Sequence, residues 1–129
     1  MRRQAMQHGD LFDPNCPTRL VLDRIADKWT VMLLLLLRQG PQRFGALRRA
    51  TGITQKVLSQ ALRRLERDGF VSRRVFATVP VTVEYAITPL GADLARALDG
   101  LRDWAEARIG AVLEAQRRYD AATPALAAE

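Results

Sequence analysis

The sequence is poor in the residues from which enzymes and metal proteins build their sites. It has a single cysteine, Cys16, and a single histidine, His8. One cysteine cannot form an intramolecular disulfide, and with one histidine it cannot build a Cys/His zinc cluster. No phosphate-binding glycine loop, GxSxG or HExxH motif is present. We therefore predict no metal site, no cofactor and no enzyme activity.

Long apolar runs are also missing. The longest, Val31–Leu37, has seven residues, whereas a helix that crosses a bilayer needs about 20. No apolar stretch follows the basic start Met1–Arg3, so a signal peptide is not indicated. Aromatic residues are only 6% of the chain, so aliphatic side chains must supply most of the core. We expect a cytoplasmic globular protein without a membrane partner.

Positive charge is abundant and lies mainly in the middle of the chain. Residues 38–74 carry ten basic and two acidic groups, a net charge of +8. The net charge is +1 over residues 1–37 and −3 over residues 75–129. Most basic residues are arginine, whose planar guanidinium suits phosphates and guanine edges. A GC-rich genome would explain the choice of arginine but not its clustering, and a localised positive field favours binding to a polyanion.

The first part of the chain predicts an arm and two helices. Residues 1–14 are polar and are expected to form a flexible arm. A short helix begins at Pro17, which fits the first helical turn, and ends near Asp27. A second helix begins at residue 29 or 30 and ends before Gly40–Pro41. Because it is apolar on all sides, it is expected to be the central buried helix.

The rest of the chain predicts short elements followed by one long helix. Turn residues and β-branched runs mark their boundaries, and residues 15–119 are expected to form a single domain. In order, the expected elements are a brief strand or extended link at 43–44, a helix at 45–51 ended by Gly52, a helix at 54–68 capped by Thr54, a hairpin of strands 71–76 and 81–87, a helix from Pro89 to about Tyr119, and a loose tail over 120–129.

The helix expected at 54–68 has one apolar and one basic side. At about 100° per residue, Leu58, Leu62 and Leu65 share one side, with Ala61 beside them. The short helix before it and the glycine-containing turn give helix-turn-helix proportions. Outward residues of such a helix meet base edges in the major groove. The predicted base readers are Gln55, Lys56, Ser59, Gln60 and Arg63.

Other arginines are better interpreted as phosphate contacts, which position a protein on DNA without reading sequence. Most charged helix faces are merely solvated, but the neighbouring turn, the hairpin and the local charge favour DNA binding. The predicted phosphate contacts are Arg43, Arg48, Arg49, Arg64, Arg67, Arg73 and Arg74.

Several motifs of the chain occur together in one protein family. They are Asn15–Pro17, Asp27–Thr30, Gly40–Arg49, Ile53–Gly69, Val83–Tyr85 and Thr88–Gly91. In this combination, spread over roughly residues 15–105, the chain resembles the HxlR-type family of bacterial transcriptional regulators. The resemblance implies a mainly α winged helix-turn-helix fold with a small β-hairpin and with N- and C-terminal dimerisation helices, related to MarR-like regulators. It also implies a homodimer and binding to double-stranded operator DNA. In some members it also implies sensing of oxidants, quinones or aldehydes through an N-terminal cysteine.

The expected wing departs from the family pattern. The family often has a basic residue just before the Val-Glu-Tyr segment, where this chain has Thr82. The expected tip, Thr78–Val81, carries no charge. Minor-groove contact by the tip is therefore not predicted, and Arg73 and Arg74 would act from the base of the hairpin.

The long C-terminal helix carries an apolar stripe longer than a small domain needs. The stripe either packs on its own domain or pairs with a second copy, and its length favours a homodimer. A two-fold dimer would present two basic helices to half-sites about 34–36 Å apart. The residues expected to form the interface are Leu94, Leu98, Leu101, Trp104 and Ile109.

Cys16 is the candidate redox sensor. It lies before Pro17 at the expected start of the first helix, where amide groups and the helix dipole favour a thiolate. The alternative is a half-buried structural cysteine. Two further interpretations stay open. One is a regulator that binds a small-molecule effector near Trp29, Phe44, Tyr85 or Trp104. The other is a binding module without operator specificity, such as an architectural DNA-binding protein or a protein-binding winged helix.

Overall fold

The computed structural model of the protein describes Phe12, Asp13 and residues 15–122. The rest of the expected N-terminal arm, and the tail from residue 123, lie outside the described residues. The chain folds into two compact units, one ending at Ala95 and one beginning at Arg96. In chain order the elements are α1 (Thr18–Ala26), α2 (Lys28–Leu37), β1 (Gln42–Arg43), α3 (Phe44–Thr51), α4 (Gln55–Arg67), β2 (Val71–Phe76), β3 (Thr82–Ile87) and α5 (Pro89–Ala122).

Helix α2 lies at the centre of the first unit and begins at a side-chain cap. The carboxylate of Asp27 accepts a hydrogen bond from the backbone N–H of Trp29 at 3.0 Å, which satisfies one of the amides left open at a helix start. Leu33, Leu34 and Leu37 have no exposed surface. The expectation that α2 is buried on all sides is only partly correct. Its inward face is buried, whereas Met32 on another face is exposed.

A three-stranded antiparallel sheet has the order β1-β3-β2. The brief strand predicted at 43–44 begins one residue earlier, and Phe44 already starts α3. Arg43 of β1 and Arg74 of β2 are both register partners of Glu84 on β3. Arg73 is instead a partner of Tyr85. Since successive side chains on a strand point to opposite faces, Arg73 and Arg74 lie on opposite faces of the sheet.

Helices α3 and α4 are joined by the predicted tight turn. Gly52 adopts the left-handed conformation, with φ 73°, and donates its N–H to the carbonyl of Arg48 at 2.8 Å. Thr54 caps α4 by accepting a hydrogen bond from the N–H of Val57 at 3.2 Å. The predicted apolar side of α4 is confirmed, because its leucines and alanine are fully buried. Those residues are Leu58, Ala61, Leu62 and Leu65.

The start of α5 is held by the link between α4 and β2. The hydroxyl of Thr88 donates to the carbonyl of Gly69 at 2.6 Å and accepts from the N–H of Gly91 at 3.0 Å. A Cβ at Gly91 would lie 2.1 Å from the carbonyl oxygen of Phe70, so only glycine allows this approach. Helix α5 continues to Ala122, three residues beyond the predicted end.

The order of the elements, four helices, a hairpin and a long helix, is that of a winged helix-turn-helix. This is the fold class expected from the amino-acid sequence. No helix in the described part of the chain combines the length and the apolar character needed to cross a membrane.

Candidate nucleic-acid interface

The outer side of α4 is polar along its whole length. Four of the five predicted base readers, Gln55, Lys56, Gln60 and Arg63, are exposed, and Ser59 is half-buried. Lys56, Gln60 and Arg63 face away from the leucines that anchor α4 in the core, whereas Gln55 and Ser59 lie at the sides of the helix. This arrangement leaves amide, hydroxyl, ammonium and guanidinium groups available to hydrogen-bond acceptors and donors outside the protein.

A basic groove lies at the turn between α3 and α4. It has a volume of about 440 Å³, and its lining includes Arg48, Arg49, Gly52 and Thr54. Both arginines are exposed, and the groove lies at the N-terminus of α4, where backbone N–H groups are open and the helix dipole is positive. Two guanidinium groups beside a helix N-terminus form a chemical environment suited to a phosphate.

A second groove, of about 310 Å³, joins α4 to the sheet. It is lined by Ser59, Arg63, Glu66, Arg73 and Tyr85. Arg73 therefore lies beside two of the predicted base readers, whereas Arg74 lies on the other face of the sheet, with its guanidinium 5.2 Å from the ring centre of Phe76. The sequence treated these two arginines alike, and only the strand register separates them.

Glu66 is a candidate interface residue that the sequence analysis did not assign. It is exposed, lines the groove that contains Arg63 and Arg73, and forms no ion pair within the described residues. A carboxylate at this position can accept a hydrogen bond from a cytosine amino group and repels a phosphate. The sequence does contain a signal for this placement, because a residue seven positions after Ser59 lies on the same side of a helix.

Two arginines at the end of α4 have different surroundings. Arg67 is exposed and shares a groove of about 410 Å³ with Gln60, Arg63 and Arg64. Arg64 bonds within the protein, with its Nη2 atom 3.0 Å from the Oδ2 atom of Asp27. Of the seven predicted phosphate contacts, Arg64 is the one with an ion pair in the described structure.

The tip of the hairpin is apolar and exposed, as its sequence predicted. Val79 and Val81 are exposed large hydrophobic residues. The Thr78 hydroxyl donates to the Pro80 carbonyl at 2.8 Å and lies 3.1 Å from the Thr82 hydroxyl. These contacts order the tip without placing a charge on it.

Cys16 lies just before α1 and is buried, with 4% of its surface exposed. Its N–H donates to the carbonyl of Asp13 at 3.0 Å, and its carbonyl accepts from the N–H of Arg19 at 3.1 Å. The residue borders a groove of about 400 Å³ whose lining includes Asp23 and Arg24. A reagent that modifies the thiol would have to approach through this groove or after a local opening.

The aromatic residues considered for a ligand site have dissimilar surroundings. Tyr85 is buried and lines the groove beside Arg63. The Lys28 ammonium lies 4.8 Å from the ring centre of Trp29. Trp104 belongs to the second unit and is exposed.

The second unit is helical from Arg96 to Ala122 and exposes a series of apolar side chains. Of the predicted interface residues, Leu94 is half-buried and Leu98 is 2% exposed, so Leu98 has little surface left for a second copy. The guanidinium groups of Arg117 and Arg118 hold the pKa of Glu114 below its usual value. The exposed apolar residues of this unit are Leu101, Trp104, Ile109, Val112, Leu113 and Tyr119.

Known proteins resemble the chain over most of its length. A family model described as HxlR-like helix-turn-helix matches residues 24–112. The HTH-type transcriptional regulator YtfH of Escherichia coli (strain K12) is 41% identical over 111 residues, which are 85% of this chain and 88% of YtfH.

Solved structures are similar as well. The transcriptional regulator ytfH from Salmonella typhimurium superposes with a TM-score of 0.77 at 43% identity, covering 85% of this chain and 98% of that one. The redox regulator HypR in its reduced form gives a TM-score of 0.69 at 38% identity, covering 77% of this chain and 98% of HypR. These relatives are transcriptional regulators, a class of proteins that are not enzymes.

Proposed function

The chain belongs to the HxlR-like helix-turn-helix family of transcriptional regulators, and we propose that it binds operator DNA as a homodimer. One observation carries the proposal. Helix α4 buries its leucines completely while it exposes Lys56, Gln60 and Arg63 on the opposite side, and Gln55 is exposed in its first turn. In this proposal α4 enters the major groove, where glutamine pairs with adenine and lysine or arginine with guanine.

The flanking arginines hold the protein on the phosphate backbone. Arg48 and Arg49 lie at the N-terminus of α4, and Arg67 lies at its end. Arg73 extends this basic surface onto one face of the sheet, beside α4, whereas Arg43 and Arg74 lie on the other face, where both are register partners of Glu84. Each phosphate that is neutralised releases counterions. The logarithm of the binding constant therefore falls linearly with the logarithm of the salt concentration, with a slope of about 0.9 per phosphate contact.

The homodimer is supported by the exposed apolar side chains of the second unit. Leu101, Trp104 and Ile109 remain exposed in the single chain, and a water-soluble helix gains free energy when a second copy covers such a stripe. Two-fold symmetry then favours a palindromic operator. We propose that the protein acts in the cytoplasm at the nucleoid.

Selection from a random DNA pool tests the proposal. The full-length protein is expected to enrich one palindromic sequence, and fluorescence anisotropy is expected to give at least about a thousandfold preference for it over scrambled DNA. A protein that binds all sequences equally, with a steep salt dependence, would be an architectural DNA-binding protein instead. A protein that binds no DNA would contradict the proposal altogether.

A second proposal is that oxidants or electrophiles switch the protein through Cys16. Two observations favour it: the similarity to HypR, described as a redox regulator, and the groove that Cys16 borders. In the proposed switch, an oxidant takes two electrons from two Cys16 thiols of the dimer, which lose two protons and form one intersubunit disulfide. The burial of Cys16 implies that a local opening precedes this step.

The Cys16→Ser variant tests the switch. Diamide, a disulfide-forming oxidant, is expected to change the operator affinity of the wild type and to leave the variant unchanged. Non-reducing electrophoresis is expected to show a covalent dimer for the wild type only. Equal responses of the two proteins would exclude Cys16 as the sensor. Trp fluorescence titrated with candidate ligands would then test the non-covalent alternative.

A further inference from the structure

Two ion pairs connect α4 to the N-terminal part of the chain. The Nε atom of Arg24, on α1, lies 2.5 Å from the Oδ2 atom of Asp68, which directly follows α4. Arg64, one turn earlier on α4, bonds to Asp27, which directly follows α1. The Arg24–Asp68 pair is largely shielded from water, because the two side chains are 17% and 8% exposed.

The charges are arranged so that only one register of the two segments satisfies both pairs. Along the α1 segment an arginine precedes an aspartate, and along α4 an arginine again precedes an aspartate. The segments pair in opposite directions, Arg24 with Asp68 and Asp27 with Arg64. A shift of one turn would bring Arg24 against Arg64 in one direction, or Asp27 against Asp68 in the other. Like charges oppose either shift.

Apolar packing alone holds α1 weakly. None of its nine residues is buried, whereas α4 buries four side chains completely. The apolar contact of α1 rests on the half-buried Val21 and Ile25, and this limits the stabilisation that packing can provide. The ion pairs supply directional contacts between α1 and the C-terminal half of α4.

We propose that Arg24 and Asp27 are positioning residues for DNA recognition, acting through Asp68 and Arg64. Together they tie the C-terminal end of α4 to the segment around α1 and limit the remaining movement of that end, and hence of Gln60 and Arg63. The proposal rests on the proposed function, since the positioning of α4 affects a measurable DNA affinity only if α4 reads an operator. It assigns Arg64 a role within the protein that its prediction as a phosphate contact did not include.

The Asp27→Asn variant gives a test whose sign is decisive. Asparagine keeps an oxygen that can cap α2 at Trp29 but loses the charge that holds Arg64. If Arg64 served only as a phosphate contact, removal of a nearby acidic group would leave the operator affinity unchanged or raise it. The positioning role instead predicts a fall of roughly 3- to 10-fold, with unchanged affinity for scrambled DNA.

Asp23→Asn is the matched control, because it removes the same charge from the exposed surface of α1. It is expected to bind the operator like the wild type. Thermal denaturation shows whether each variant is as stable as the wild type. A purely structural role would lower the affinities for operator and scrambled DNA together, whereas the positioning role lowers only the affinity for the operator.

A charge swap tests the second pair. Arg24→Asp and Asp68→Arg alone are each expected to lose operator discrimination, and the double variant is expected to recover most of it. If the single variants do not fold, the Asp27→Asn comparison still decides. Operator affinity of Asp27→Asn equal to or above that of Asp23→Asn would overturn the proposal, and so would a folded double variant without recovery. If the wild type selects no DNA sequence, the proposed function fails and the positioning role fails with it.

Discussion

At the scale of single residues, exposure and bonding partners divide the arginines of the basic segment into groups with different surroundings. Arg63 and Arg67 are exposed on the outer side of α4 and have no ion pair among the described residues. Arg64 lies next to both but bonds to Asp27. The neighbouring carboxylate of Glu66 adds a group that can select cytosine and weaken non-specific binding.

Arg63→Ala and Arg67→Ala are expected to differ in kind. Loss of a guanine-reading side chain at Arg63 should cost about 1–3 kcal/mol, with discrimination lost at one operator position. Loss of a phosphate contact at Arg67 should weaken binding to all sequences and reduce the salt slope by about 0.9. Anisotropy titrations on single-position operator variants at several salt concentrations measure both effects. An Arg63→Ala profile identical in shape to that of the wild type would remove Arg63 from the base readers.

Gly91→Ala is expected to destabilise the protein by roughly 1–3 kcal/mol, because the added Cβ would meet the carbonyl oxygen of Phe70 at 2.1 Å. Gly100→Ala is the matched control on the same helix. Its Cβ meets nothing within 4 Å, so it should stabilise by about 0.5–1 kcal/mol. Urea denaturation compares the two, and similar free energies of unfolding would contradict the close approach at Gly91.

At the scale of elements, the caps of α4 determine where the helix that carries the predicted base readers begins and ends. Thr54 closes its first turn, and the Gly69–Phe70 link that follows its end is bonded to Thr88 at the start of α5. Hydrogen bonds therefore hold both ends of α4 in place. The register puts Arg73 beside α4 and Arg74 on the opposite face of the sheet. In the proposed function, only Arg73 of the two therefore adds to the surface around α4.

Thr54→Ala is expected to lower stability by about 1 kcal/mol, since the Val57 amide loses its acceptor. Thr54→Ser retains the hydroxyl and should stay close to the wild type. Operator affinity should fall with the alanine variant only as far as the first turn of α4 frays. Thermal denaturation and anisotropy measure the two effects, and equal stability of the two variants would show that the cap contributes nothing.

At the scale of the whole molecule, charge and apolar surface are separated along the chain. The basic surface belongs to the unit that ends at Ala95, and the exposed apolar stripe belongs mainly to the unit that begins at Arg96. In the proposed function, DNA binding and dimerisation therefore belong to different units. Substitutions in the first unit should leave dimerisation intact, and substitutions in the second unit should leave the binding of one half-site intact.

Ile109→Glu is expected to shift the dimer toward monomer, since it places a charge in the exposed apolar stripe. Ala107→Glu adds the same charge outside the stripe of the same helix and should remain dimeric. Light scattering at micromolar concentration distinguishes the two masses. Dimeric Ile109→Glu, or a monomeric wild type, would contradict the assigned interface. Loss of the dimer should also weaken binding to a palindromic operator more than binding to one half-site.

Much of this protein follows from its sequence alone. The 3.6-residue spacing of leucines on α4, the glycine turn and the β-branched runs predicted the elements, because these patterns are local. The same periodicity predicted that Lys56, Gln60 and Arg63 lie opposite the leucines, and all three are exposed. Their reading of bases stays a prediction. The concentration of arginine in residues 38–74 also pointed to DNA. The family motifs predicted the fold class, which the structure and its similarity to solved regulators confirm.

Other properties were decided only by the tertiary structure, because they depend on residues distant in sequence. The ion pair between Arg24 and Asp68 spans 44 positions. No local sequence pattern distinguishes Arg64 from the arginines near it, and only the folded chain brings Asp27 within bonding distance of Arg64. Burial of Cys16 and Leu98, and the separation of Arg73 from Arg74, likewise depend on packing and strand register. Local periodicity determines which side of a helix is polar, whereas tertiary contacts determine which of its polar groups remain available to DNA.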